Sequence, residues 1–394
     1  MLRNIDFSEF INSNQSEIGG NKVINLEILD FIGSGGTWMA YKCRLKEEDG
    51  VSDYAVLKEY YPIQNSYDVN YVRDTSNNML KICAETNETR LKEKEKQKDN
   101  VDRELKINQI LRKKNNNNNP YMFREWICSK YGDSTYVLVD TADGKTLKEL
   151  IYDNERKNLT QRQRINHAFY YTRKILKVLD YMFCNEYIHG DLKPENIYIA
   201  GEGEAENIYF LDFGSVFSKS EYCVDINSAS DSIKIEMANK ILNNDGLGTS
   251  SDGYCSPDMV VLRDAKKQYK SINGSAIKAK KLLKVINSLD VSVDIYSILK
   301  IFYLMITGNV YKGSNNTVEI DLGDCGIINA ELIRIMQKNE SKGYHSIEEI
   351  TYELDVMEAL LNKTAHPKTL LYGLKDQVVI KEIDERLFGE IISD

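Results

Sequence analysis

Apolar positions at Leu26, Ile28, Leu29, Phe31 and Ile32 have strand character, and they run into a glycine-rich turn from Gly33 to Gly36. Tyr54-Ala55-Val56-Leu57-Lys58 reads as the next strand, one hairpin later, and Tyr136-Val137-Leu138-Val139 as another. From Val101 the period turns helical, with Val101, Leu105, Ile107, Ile110 and Leu111 as the apolar set. Arg162 to Phe183 repeats that spacing at Ile165, Ala168, Phe169, Thr172, Ile175, Leu176, Leu179 and Met182, and its His167 reads as a helix-surface residue. Helical patterns recur over Asp231 to Leu242 and Ile347 to Leu361. Val291 to Thr307 is the most apolar stretch, but Asp294 and Lys300 interrupt it, so no membrane span is expected.

The 394 residues suffice for two lobes with insertions. Charged residues at 28% and hydrophobic ones at 42% fit a soluble globular chain. A net charge of -9 argues against nucleic acid as an obligatory partner, since no cationic excess is available to neutralise phosphates. The seven Cys form no CxxC pair and no metal-ligand spacing, which fits reduced thiols in a cytosol. With no signal peptide visible, a soluble, cytoplasmic protein is expected. Residues 1–24 read as a leader without chemistry, Arg90 to Lys98 as a solvated helical face, and Asn115 to Asn119 as a loop tip. The richness in Asn, Lys and Ile suggests an AT-rich genome rather than a function.

One stretch concentrates the chemistry. Ile188-His189-Gly190-Asp191-Leu192-Lys193-Pro194-Glu195-Asn196-Ile197 is followed, after a polar linker, by Phe210-Leu211-Asp212-Phe213-Gly214. Phosphoryl transfer needs a carboxylate to orient a hydroxyl, a cation on the moving phosphate, and oxygen ligands that hold a metal against ATP. Asp191 suits the first role, Lys193 the second, and Asn196 with Asp212 the third. A polar turn followed by an ordinary strand is the plain alternative, and the occurrence of both motifs in order with matched spacing weighs against it. The two segments resemble the catalytic loop and Asp-Phe-Gly segment of eukaryotic-like (bacterial-type) Ser/Thr protein kinases, with His-Gly-Asp in place of His-Arg-Asp.

The resemblance spans about residues 25 to 310. It implies an α+β, bilobal protein-kinase-like fold with a β-rich N-lobe and a mainly helical C-lobe, ATP in the cleft and Mg²⁺ bridging its phosphates. The expected division is a leader at 1–24, an N-lobe at 25–141 with an insertion at about 63–98, and a C-lobe at 142–394 with a long activation segment at 212–258. Ile32, Gly33, Gly35, Gly36 and Ala40 would form the nucleotide-covering loop; Trp38 stands at its third glycine, and that bulk is expected to stiffen the loop or lower ATP affinity. Lys58 would hold the α- and β-phosphates and Val56 would line the site. Glu59-Tyr60-Tyr61-Pro62 resembles the K-E-Y-F-P signature of a bacterial group of these kinases.

Arg103-Glu104-Leu105 matches the helix C pattern, so Glu104 is the candidate partner of Lys58; Glu93 and Glu95 compete in register but lack apolar neighbours. Asn108 takes the place of an apolar residue, which predicts imperfect docking of that helix. Asp140 and Ala142 would read adenine through their backbones, with Val139 as a small gatekeeper. Gly190 has no side chain to pair with a loop phosphate, so activity independent of activation-loop phosphorylation is expected. Gly248 to Asp258 resembles the G-T-x-G-Y-x-A-P-E end of the activation segment; Ser251 stands at the threonine that meets the catalytic loop, with Thr249 as the alternative. Asp294 would brace the catalytic-loop backbone. The late arginine that pairs with the A-P-E glutamate has no clear counterpart.

Lys193 matches the Ser/Thr version of the loop, and the leading reading is an active kinase of protein substrates, with autophosphorylation open to it. Two alternatives stand beside it. His-Gly-Asp is common in small-molecule kinases of the aminoglycoside or choline type, against which Lys193, Gly214 and Ser256-Pro257-Asp258 weigh. Trp38 and Asn108 favour a nucleotide-binding pseudokinase scaffold, which the intact Lys58, Asp191, Asn196 and Asp212 oppose.

Overall fold

The computed structural model describes residues 23–34, 38–47, 52–61, 69–73, 80–113, 123, 125–131, 133–140, 144–153, 158–201, 203, 206–222, 224–244, 246–248, 251, 253–272, 274–313 and 326–365. They fall into two compact units, one reaching to Gly144 and taking in Ala200–Tyr209, the other running Lys145–Ile199 and from Phe210 onward.

The first unit is built on a five-stranded antiparallel sheet. Its strands are β1 (Val23–Ser34), β2 (Trp38–Glu47), β3 (Ser52–Tyr60), and, after an inserted hairpin of β4 (Val69–Arg73) and β5 (Leu80–Ala84) and helix α1 (Asn87–Lys113), β6 (Glu125–Tyr131) and β7 (Ser134–Asp140). The spatial order is β1-β2-β3-β7-β6. Alternation along β3 decides what each face does: Ala55, Leu57 and Glu59 are buried, while Val56 and Lys58 are half-buried on the other face. Ala55 and Leu57 join Leu26, Tyr41, Cys43, Leu45, Tyr136 and Leu138 in the apolar core.

Helix α1 runs unbroken for 27 residues, so the end of the insertion, from Asn87, and the expected helix C are one element. Nothing in Asn87–Lys113 breaks it, neither Gly nor Pro, and Glu88 pairs with Lys92 one turn on at 2.6 Å. From Gln97 onward it turns a face to the core: Gln97, Val101, Glu104, Leu105, Asn108 and Leu111 are buried at helical spacing. The Arg90–Lys98 run is less solvated than expected. Arg90 makes a forked pair with the buried Asp133 at 2.7 and 2.8 Å, and Lys94 joins it. Burial works against ionisation of Asp133, yet Lys94, the Ile82 N–H and Arg90 together hold its carboxyl below the usual range.

The second unit is mainly helical. From Gly144 onward the chain forms β8 (Gly144–Thr146), α2 (Leu147–Tyr152), α3 (Gln161–Cys184), β9 (Tyr187–Ile188), β10 (Ile197–Ala200), β11 (Asn207–Phe210), β12 (Phe217–Ser218), α4 (Lys219–Tyr222), α5 (Asp231–Asn243), α6 (Pro257–Ser271), α7 (Ala276–Ser288), α8 (Ser292–Thr307), α9 (Gly326–Ser341) and α10 (Ile347–Ala365). Every residue of α8 from Val293 to Ile306 is buried, and α3 packs on it through contacts such as Phe169 with Phe302. Lys300, buried within α8, is held by Glu340 at 3.2 Å and lies over the Tyr296 ring. Arg173 on α3 pairs with Asp355 and Glu358 on α10, both at 2.6 Å.

Helices α5, α6 and α7 form a layer of their own. Ala238 and Ile241 of α5, Met259, Leu262, Ala265 and Tyr269 of α6, and Ala279, Leu282, Leu283 and Ile286 of α7 share one apolar cluster with Ile188 and Phe217. Each helix starts at a serine cap: Ser230, Ser256 and Ser275 accept from Ile233, Met259 and Lys278 N–H.

Candidate active site

The sequence-predicted residues gather in two constellations, one in each unit. In the first, strand register places Ala40 opposite Lys58, Lys58 opposite Val137, and Val56 opposite Val139. Directly paired residues share a face, so Ala40, Val56, Lys58 and Val139 line the side of the sheet opposite its apolar core. Gly33 pairs with Ala40 at the end of β1, and Ile32 beside it is exposed. Asp140 ends β7 opposite Ala55. Gly35, Gly36 and Ala142 lie outside the described residues.

Lys58 Nζ donates to Glu104 Oε1 at 2.8 Å, with the two side chains 13% and 5% exposed. The competing glutamates are elsewhere: Glu93 accepts from Tyr71 OH at 2.7 Å, and Glu95 is exposed. Asn108 is buried; its Nδ2 donates to the Phe123 carbonyl at 3.2 Å, its Oδ1 has no hydrogen-bond partner among the described residues, and Phe123 stacks on Tyr209. Glu59, next to Lys58 but on the other face, is fully buried and takes Arg73 from the inserted hairpin at 2.6 and 3.1 Å, plus Tyr41 and Tyr136 hydroxyls at 3.1 and 2.9 Å. This network was not foreseen from sequence, since its arginine lies inside the insertion. It satisfies a carboxylate that would otherwise be costly in a sheet core.

In the second unit, Asp191, Lys193 and Asn196 lie on the loop between β9 and β10. The Asp191 carboxylate accepts from the Ser251 N–H through Oδ1 at 2.8 Å and from Lys193 through Oδ2 at 3.1 Å. Lys193 also donates to Ser251 Oγ at 2.8 Å, so Ser251 takes the position expected of it; Thr249 lies outside the described residues. Asn196 Nδ2 donates to the Asp191 carbonyl at 2.9 Å, which leaves its Oδ1 as the side available to a ligand. Below the loop, Asp294 at the start of α8 is fully buried and accepts from His189 and Gly190 N–H at 2.7 and 2.8 Å. Burial pushes its carboxyl up, against the pull of His189 and the two N–H donors.

Asp212 sits in the left-handed region, with φ 59°, and accepts from Gly214 N–H at 3.3 Å. Leu211 N–H donates to Asn196 O at 2.8 Å, and His189 Nε2 meets Leu211 O at 3.3 Å, which ties the two motifs together. Among the described residues no group of three His, Cys, Asp or Glu could hold a metal. One carboxylate and one amide oxygen are nevertheless a fitting set for a hard cation that keeps most of its shell as water and phosphate oxygen.

The family model for the protein kinase domain matches residues 69–367. The chain belongs to the protein kinase family. No curated protein matches this kinase. Among solved structures, a point mutant of the Mycobacterium tuberculosis PknI kinase domain is similar at 12% identity over 86% of this chain and 96% of that one, TM-score 0.44. The apo form of PpkA-294 is similar at 18% identity over 85% and 95%, TM-score 0.47.

The family match begins after β3, so the placement of Lys58 rests on its register and its bond to Glu104. A protein kinase domain in general uses nucleotide and a divalent metal. In this kinase domain the Gly190 backbone has φ 79°, and a Cβ there would lie 3.1 Å from Ser215 O and 3.4 Å from Met259 Cε. The position therefore selects glycine for space and conformation together. Gly246, past the end of α5, comes closer still to the Asp-Phe-Gly segment: a Cβ would lie 1.8 Å from Gly214 O. Ser256 caps α6, Pro257 opens it, and Asp258 is exposed in its first turn with no ion pair among the described residues, where the helix dipole favours its charge.

Proposed function

We propose that this kinase transfers the γ-phosphoryl group of Mg²⁺-bound ATP to Ser or Thr hydroxyls of proteins, as a kinase of the bacterial type. The observation that carries the reading is the Lys193 ammonium shared between Asp191 Oδ2 and Ser251 Oγ. It joins the carboxylate that orients a hydroxyl to the segment on which a peptide would lie. Asp191 is the hydroxyl-orienting group and accepts the proton as transfer proceeds. Lys193 neutralises charge on the moving phosphoryl group. Asn196 Oδ1 and the Asp212 carboxylate would hold the metal, which supplies charge neutralisation between the phosphates. Lys58, oriented by Glu104, would grip the α- and β-phosphates, with Ala40, Val56 and Val139 against the base and Asp140 and Ala142 offering backbone groups.

In this reading residues 25–141 form the N-lobe, 142–394 the C-lobe and 212–258 the activation segment. Within it α5 packs with α6 and α7 in one apolar cluster, and Gly190 offers no side chain to a phosphate beside Asp191. Phosphatase treatment should therefore leave the rate unchanged. Cytosolic residence is supported by the free cysteines among the described residues, Cys43, Cys83, Cys184 and Cys255. No helix among the described residues is long and apolar enough to cross a membrane.

The test is a time course with Mg²⁺-ATP, reading incorporation by intact mass and site mapping on the wild type and on Asp212→Asn. Phosphate on Ser or Thr only in the wild type, on a supplied protein or on the kinase itself, supports the proposal. Equal incorporation in both proteins, or consumption of ATP only with aminoglycosides or alcohols, overturns it.

A further inference from the structure

The residue at the third glycine of the nucleotide loop is tied into the Lys58–Glu104 pair. Trp38 is 6% exposed although it opens β2. Its indole Nε1 donates to Glu104 Oε2 at 3.1 Å, while Lys58 takes the other carboxylate oxygen, Oε1, at 2.8 Å. The Lys58 ammonium lies 4.9 Å from the Trp38 ring centroid, within cation–π range. Tyr60, paired with Trp38 across the β2–β3 ladder, closes edge-on against the indole at 5.3 Å. The tryptophan thus meets both members of the pair and is itself held by its cross-strand neighbour.

We propose that Trp38 is a positioning residue that anchors the Glu104 carboxylate, and through it Lys58, so that the nucleotide loop, β3 and α1 are locked as one unit before any nucleotide arrives. The proposal rests on the phosphoryl-transfer reading for its consequence and on the geometry of the first unit for its existence.

A free carboxylate at the end of a glutamate side chain rotates about its last torsion, and one cation fixes only one of its oxygens. With Lys58 on Oε1 and the indole on Oε2, both oxygens are committed and the carboxylate plane is set. A buried charge held by two donors is also less costly than one held by a single donor. A glycine at position 38 could supply neither the N–H nor the ring face. The expected stiffening of the loop therefore comes from a specific tether, and its direction is favourable: Lys58 is presented in one orientation and loses little freedom on meeting phosphate.

Two readouts test this, one independent of activity. The protein has two tryptophans, so its side-chain amide spectrum holds two indole N–H resonances, and Trp126→Phe identifies that of Trp38. A bond to a buried carboxylate predicts a downfield, slowly exchanging Trp38 proton that moves upfield in Glu104→Ala. In Glu104→Gln, where one amide oxygen faces two donors, it should move part of the way. An unchanged, fast-exchanging indole proton in all three proteins overturns the proposal.

The second readout is a double-mutant cycle on kcat/KM for ATP. Trp38→Phe keeps an aromatic ring beside Lys58 and removes the donor; it should lose about tenfold, the scale of a hydrogen bond to a charged group. In the Glu104→Ala background the same change should cost less than about twofold, because the group it acts through is gone. Equal losses in both backgrounds mean a packing role only and overturn the proposal. A wild type that transfers no phosphate but shows the indole shift overturns the functional reading and supports the tether. Normal transfer with no shift and no coupling overturns the tether alone.

Discussion

Replacing Asp294 with alanine strips the acceptor from two buried backbone N–H groups at once, those of His189 and Gly190. An unsatisfied buried donor costs about 1–3 kcal/mol, so the gross loss is roughly 2–6 kcal/mol. Removing a carboxylate that burial disfavours returns part of this, and we expect a net loss of about 2–4 kcal/mol, concentrated at the catalytic loop. Asp294→Asn should fall between: one oxygen can still accept, but an NH₂ group then faces the second N–H. The measurement is amide hydrogen exchange of His189 and Gly190, supported by urea midpoints of the helical unit. Both amides should lose protection in the alanine variant, and phosphate transfer should fall with them because Asp191 follows directly in the chain. Wild-type protection of both amides in Asp294→Ala, with a stability change under about 0.5 kcal/mol, would falsify the bracing role, since that is the scale of an ordinary surface substitution.

Three further outcomes follow from particular contacts. Ser251→Ala removes the acceptor of the 2.8 Å bond from Lys193 but keeps the backbone donor to Asp191, so kcat with a protein substrate should drop about tenfold, with KM for ATP little changed; an unaltered kcat would show that Lys193 needs no second partner. Gly246→Ala puts a Cβ into the Gly214 carbonyl, and because the oxygen it meets belongs to backbone and cannot swing aside, the strain should cost about 1–3 kcal/mol and lower the melting temperature; an alanine variant as stable and active as the wild type would refute that close approach. Burial pushes the Glu353 carboxyl up, but Arg334 and Lys338 outweigh it and hold it below its ordinary 4.5. A depressed acid stabilises the fold above its unfolded pKa and stops doing so as pH falls through the folded one. Urea midpoints of the wild type should therefore fall more steeply below pH 4.5 than those of Glu353→Gln, and parallel curves would remove Glu353 from the acid response.

The Asp191 loop and the Asp-Phe-Gly segment stood out in the sequence because the residues proposed to act there are near neighbours in the chain. Asp191, Lys193 and Asn196 lie within one turn of chain, and a short loop leaves few ways to arrange them. The helices Gln161–Cys184 and Asp231–Asn243 were legible for a similar reason, since a repeated apolar spacing reports which face is covered without saying by what. Ser251 and Asp294 could be ranked by their spacing from neighbouring motifs, and both meet the catalytic loop.

Other features were hidden in the sequence because each depends on a contact between distant positions. Trp38 and Glu104 are 66 residues apart, and a tryptophan at a glycine position reads as bulk until the carboxylate beside it is seen. Arg73 and Glu59 meet only because the inserted hairpin returns to the sheet. The unbroken α1 was missed because a charged run and an apolar run look like separate elements, although the backbone passes through both without interruption. The sequence by itself determined the chemistry available and the period of each element, since both are properties of neighbouring residues. The tertiary structure alone decided which buried charges are paired and which backbones touch, because a carboxylate can remain in a protein interior only where another part of the chain brings its donors.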